Sequence, residues 1–166
     1  MRRGGLAMLL ALAACHQQTP AEKAAADARD IAVVEGAQKQ KPPPRPITPQ
    51  PLMYPDVQAH KLYGKGCAFV AEGGGMGAVL VTKDKFAGFK PKDEVVELAS
   101  DPGSAAMPEG TWSRYVGKAY ALTLTRTGDD TSRPGDPKQS FAGKLVVTDA
   151  WNQVVYEADG LVQCRA

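Results

Sequence analysis

Histidine is almost missing from this 166-residue chain: there are two, His16 near the N-terminus and His60 just ahead of the strand-rich region. No serine sits in a Gly-x-Ser-x-Gly elbow, and neither Cys-x-x-Cys nor His-Glu-x-x-His occurs. These absences remove the usual nucleophile and base, the redox pair and the zinc site. The chain therefore reads as non-enzymatic, with no cofactor and no metal. Long apolar runs are scarce too, since the uncharged stretch from Gly4 to Leu12 falls well short of the roughly 20 residues that span a bilayer as a helix. Charge of one sign is not in surplus: Lys and Arg number 20 against 18 Asp and Glu, and Arg2 and Arg3 account for the excess. A balanced chain without a basic block has no electrostatic footprint for nucleic acid.

The N-terminus is where the sequence is most specific. Met1-Arg2-Arg3 is a cationic start, Gly4 to Leu12 an apolar run, and Leu12-Ala13-Ala14-Cys15 a set of small residues before a cut, which is the order of a secretory signal. Leu12-Ala13-Ala14-Cys15 resembles the lipobox of bacterial lipoproteins. The resemblance implies removal of residues 1–14, a diacylglyceryl thioether on the Cys15 thiol and acylation of the new amino group. Several chains hold a membrane where one does not, because each buried methylene contributes about 0.8 kcal/mol. His16 stands where the inner-membrane retention signal has Asp. The expected address is therefore the outer membrane, lipid-anchored and facing the periplasm.

With Cys15 taken by lipid, Cys67 and Cys164 remain, and in an oxidising compartment a leftover pair is expected as a disulfide. Such a bond closes a loop of roughly a hundred residues, worth up to about 4.7 kcal/mol in the chain-entropy account.

Residues 15–58 read as a tether. Ala21 to Arg29 is rich in helix formers without a broad apolar face, and Ile31, Val33 and Val34 add one small sticky patch. Lys41 to Pro51 concentrates proline, which favours an extended, semi-rigid spacer. Leu52 to Val57 is more apolar than a free linker and is expected to lie against the folded domain as its entry arm.

Residues 59–166 carry the pattern of strands. Cys67–Val70, Ala78–Thr82, Lys85–Lys90 and Glu94–Ala99 are short apolar or alternating runs separated by glycine- and proline-bearing turns. In Lys118–Arg126 the alternation is clearest, with Tyr120, Leu122 and Leu124 on one face and Ala121, Thr123 and Thr125 on the other. Thr111–Tyr115 precedes it, Phe141–Val147 follows a polar loop at 128–139, and Gln153–Glu157 and Leu161–Cys164 read as a final pair. The fold class is all-β: a small antiparallel barrel or sandwich of about seven to eight short strands. A bond from the first strand to the last would staple the ends of the sheet.

Glu94 with Glu97, and Asp129 with Asp130 and Asp136, fit a strand and a Gly/Pro loop better than acid/base or calcium chemistry. Glu72 to Gly77 lacks the lysine and helix of a phosphate loop and reads as a hairpin. Trp112, Ser113, Tyr115 and Trp151 are the candidate binding residues, their rings placed either to cap the core or to present a surface. A lipobox, a tether and a β-domain with a cysteine at each end look like the membrane-bound inhibitors of c-type lysozyme, which are eight-stranded barrels. That family's inhibitory Ser-Gly followed by Tyr finds Trp112-Ser113-Arg114-Tyr115 here, without the glycine. Gly66-Cys67-Ala68-Phe69 and Gln163-Cys164 also resemble the start and end of small lipoproteins of Gram-negative bacteria, a likeness that carries no activity. The expected function is a periplasmic binding or envelope-structural module, with an envelope protein or cell-wall partner. The alternative is an inhibitor of a lysozyme-type hydrolase, which predicts a protruding polar loop near Ser113, where a binding module predicts an apolar or aromatic patch.

Overall fold

The computed structural model describes residues 19–133 and 136–166, so the signal segment and Cys15 lie outside the described residues. The chain divides into two compact units, the first ending at Pro42 and the second running from Pro43 to Ala166.

In the first unit, α1 spans Pro20–Lys39. Thr19 starts it: its hydroxyl accepts the Glu22 N–H at 3.3 Å while the Glu22 carboxylate accepts the Thr19 N–H at 2.8 Å, and Pro20 supplies a preset φ at the first position. The Thr19 N–H and hydroxyl lower the Glu22 pKa. None of its residues is buried, and Ile31, Val33 and Val34 stand more than half exposed. Among the described residues no helix is long and apolar enough to cross a membrane.

The second unit is a closed eight-stranded barrel rather than a sandwich. Its strands are β1 (Gly66–Ala71), β2 (Leu80–Thr82), β3 (Phe86–Phe89), β4 (Val96–Ser100), β7 (Arg114–Val116), β8 (Tyr120–Asp130), β9 (Lys138–Asp149) and β10 (Val154–Arg165). A two-stranded ribbon, β5 (Ala106–Met107) and β6 (Thr111–Trp112), is inserted between β4 and β7. Each barrel strand pairs antiparallel with the next in the chain, and β1 pairs with β10 to close the ring. The alternation predicts which side chains point inward: Leu122 and Leu124 of β8 are buried, as are Phe69, Phe89, Phe141, Leu145 and Val162 from the surrounding strands. Each such side chain contributes roughly 1.5–3 kcal/mol by leaving water.

The runs expected as a final pair of strands, 153–157 and 161–164, are one continuous strand. Gly160 is the reason. A Cβ there would lie 2.2 Å from the Val70 carbonyl and 2.8 Å from Phe69 Cζ, so glycine lets β10 coil tightly against β1 with the Phe69 ring laid over it. The disulfide expected between Cys67 and Cys164 is formed, across a directly opposed pair on β1 and β10 with Cα atoms 3.9 Å apart, and it lies inside the barrel near its base.

The segment 43–58, read as tether, belongs to this compact unit. Ile47 donates its N–H to Val155, Gln50 to Lys90 and Leu52 to Ala78, and buried Pro49 and Leu52 lie over the top of the barrel. A short helix, α2 (Tyr54–Ala59), follows, and the Asp56 carboxylate meets Lys90 Nζ at 3.0 Å. Leu62 then lies on the outer face of β3, where Gly88 leaves room for it. The apolar entry arm expected at Leu52–Val57 thus docks, and docking starts earlier because Ile47 and Pro49 are also apolar.

Candidate functional site

At the base of the barrel the segment 101–113 folds across the opening. Thr111 is buried, its hydroxyl donating to the Pro108 carbonyl at 2.8 Å and lying 3.5 Å from Cys67 Sγ. Tyr115 is wholly buried; its hydroxyl donates to the Lys83 carbonyl and accepts the Trp112 N–H, and burial pushes its pKa up. Lys83, nearly buried itself, donates from Nζ to the carbonyls of Tyr63 and Lys65. Desolvation lowers its pKa, with Asp84 opposing. This lysine pins the incoming arm to the β2–β3 turn through these two bonds.

The candidate binding residues do not form one surface. Trp112 is half-buried against the core, Tyr115 is inside it, and Trp151 sits at the opposite end, in the β9–β10 turn. Ser113, at the bend between β6 and β7, has its N–H bonded to Ala105 and its carbonyl accepting from Leu124, so the backbone there is held on both sides and forms no protruding loop. A binding role for Tyr115 is excluded by its burial. Glu97 meets His60 Nδ1 at 2.8 Å on the outside of the barrel, and Asp130 accepts from the Ser132 N–H and hydroxyl, with the expected loss of pKa; both act as local ties. Among the described residues no group of three or more His, Cys, Asp or Glu is placed to hold a metal ion.

The surface feature that sequence reasoning missed is the outer wall of β1 and β10. Two open grooves run along it. The first, of about 370 Å³, is walled by Val57, Leu62, Tyr63 and Val81 on one side and by Lys138, Gln163 and Arg165 on the other, with Ala68 on its floor. The second, of about 480 Å³, is built on Val70, Ala142 and Leu161, with Glu72 and Asp159 at its edge. They meet at consecutive outward pairs, Ala68 with Gln163 and Val70 with Leu161. Leu161 is 40% exposed between them and Tyr63 64% exposed beside the first. Elsewhere the outer wall mixes single exposed apolar side chains, Val116 and Val154, with polar ones such as Lys144, whose Nζ meets Glu157 at 2.6 Å; that hydrogen bond raises its pKa. Apolar inside and largely polar outside is the reverse of a membrane-spanning barrel.

Only the alternation of β10 hinted at this wall, by placing Leu161 outward with Asp159, Gln163 and Arg165. No protein-family model, curated protein or solved structure matches the chain.

Proposed function

We propose that the chain is an outer-membrane lipoprotein, anchored through Cys15 and facing the periplasm, whose barrel serves as a non-enzymatic docking module of the envelope. The reading of the anchor rests on Leu12-Ala13-Ala14-Cys15 and the signal ahead of it. The observation that carries the docking role is the contrast between interior and wall. Side chains from the ring of strands fill the barrel, whereas Val70, Val81, Leu161 and Tyr63 leave apolar surface along two grooves outside. A carrier of small apolar ligands needs a hollow barrel; a docking module needs a rigid one with an apolar patch. The held backbone at Ser113 disfavours the lysozyme-inhibitor alternative, which needs a loop that enters a cleft.

The test is made on the full chain in a Gram-negative envelope. Intact mass should show residues 1–14 removed and acyl chains added at Cys15, and an unlipidated product would overturn the anchor. A photo-crosslinking residue placed at Leu161 should capture a protein in cells, whereas the same residue at Thr123, on the outer face of β8, should not. Equal or absent capture at both positions would overturn the docking role.

A further inference from the structure

The β1–β10 wall is complementary to itself. Its outward positions on β10 read Asp159, Leu161, Gln163 and Arg165; beside them on β1 lie Val70, Ala68 and Gly66, with Glu72 just past the strand end. Lys138 of β9 pairs across from Arg165. The wall is thus acidic toward the top, apolar in the middle and basic at the base. Glu72, Asp159, Lys138 and Arg165 are exposed, and none is in an ion pair among the described residues. Lys144, directly across from Asp159 on β9, makes its ion pair with Glu157 and has Asp159 as a weaker charge neighbour. Asp159 and Arg165 are separated by about 20 Å along the strand, at about 3.3 Å per residue.

We propose that this wall is the contact between two copies of the chain, related by a two-fold axis that lies in the contact plane and crosses the strands at the Phe69–Val162 pair. The proposal rests on the reading of the wall as a docking surface and names its occupant. Such an axis reverses strand direction while keeping β10 over β10 and β1 over β1. Arg165 of each copy then faces Asp159 of the other, so one charge pair is made twice. Val70 meets Ala68, and Leu161 of each copy enters the other copy's first groove beside Gln163 and Ala68. A two-fold contact has to use one patch that fits itself, and opposite charges at the two ends of an apolar strip meet that requirement. A wall carrying one sign of charge would repel its own copy. An enclosed small ligand fits poorly, since both grooves are open and continue into each other across Leu161.

The experiment uses the full chain, prepared as an equal mixture of nitrogen-14 and nitrogen-15 copies in mild detergent and treated with a carbodiimide, which joins amines to carboxylates without a spacer. Mixed-isotope peptides joining Lys138 to Asp159 are expected. Arg165→Asp alone and Asp159→Arg alone should each raise the dissociation constant of the pair, read by analytical ultracentrifugation, about tenfold or more, and the double variant should restore it, because each pair is then re-formed with its signs exchanged. Both positions are exposed on the outer face, and near-ultraviolet circular dichroism with an intact Cys67–Cys164 bond checks that each variant is folded. No mixed-isotope product from the parent chain, or a dissociation constant indifferent to charge reversal, would overturn self-association. In that case capture of a different protein from Leu161 would leave the docking reading standing, and capture of none would end both.

Discussion

The Tyr115 hydroxyl donates to the Lys83 carbonyl at 2.7 Å and accepts the Trp112 N–H at 3.0 Å, so one buried phenol joins the β2–β3 turn to the segment that closes the base of the barrel. Tyr115→Phe keeps the ring and removes both bonds, leaving a carbonyl and an N–H without their partner. The expected loss is about 1–3 kcal/mol. Urea unfolding should show a lower midpoint at unchanged slope, since the folded surface is the same. A midpoint equal to that of the parent would mean that water replaces the phenol at no cost.

Leu62 and Gly88 form a second such pair, on the outside. Leu62 is 3% exposed although it lies on the outer wall, because a Cβ at Gly88 would come within 2.6 Å of its Cδ1 and none is there. Gly88→Ala should therefore lift the arm, and Leu62→Ala should cost about 2–5 kcal/mol. Combined, the two should cost less than their sum, because the added methyl enters the space the leucine vacates. Trypsin cleavage after Lys61 and Lys65 reports the lifted arm directly; additive losses in the cycle would sink the packing account.

These two contacts mark the limit of what the sequence shows. The alternation of Tyr120 to Arg126 places Leu122 and Leu124 inside, and cysteines near both ends of the domain suggest the staple. Alternation assigns faces, however, and says nothing of closure, so it fits a barrel and a sandwich alike, and the β1–β10 pairing decides between them. Gly160 misleads for a physical reason: glycine signals a turn as readily as a tightly coiled strand. Tyr115 reads as a core cap or as a surface ring, because a tyrosine near a strand end serves either role, and only the Lys83 carbonyl decides it. The alternation of β10 only hints at the β1–β10 wall, since Ala68 and Val70 come beside Gln163 and Leu161 only through the pairing that closes the ring of strands.

The Cys67–Cys164 bond ties β1 to β10 at the closing seam, across a sequence separation of 97. Its removal frees the unfolded chain far more than the folded one. Cys67→Ser with Cys164→Ser should lower stability by up to about 4.7 kcal/mol in the chain-entropy account. The paired strands remain, so far-ultraviolet circular dichroism below the melting temperature should be retained. A drop in Tm of only a degree or two would show that the seam's hydrogen bonds and packing hold the ring without the staple.

Asp56 gives the domain an acid-sensitive tie. Its carboxylate accepts the Met53 N–H at 2.9 Å, which starts α2, and Lys90 Nζ at 3.0 Å, which fastens α2 to the barrel. The Met53 N–H first, and then Lys90, hold its pKa below the ordinary aspartate value. An aspartate in the unfolded chain takes up its proton near about pH 3.9, ahead of the folded one. The stabilisation is therefore complete above that pH and is lost as pH falls through the lower folded value. The Met53 amide resonance should titrate with a midpoint below the ordinary aspartate range, and the urea midpoint should fall over the same interval. In Asp56→Ala the Met53 titration should vanish and the fall in urea midpoint should shrink to what other carboxylates such as Asp130 contribute. A Met53 amide that titrates at the ordinary aspartate value would mean that the carboxylate gains nothing from its two donors, and the arm would then be held by Leu52, Leu62, Lys83 and its backbone bonds.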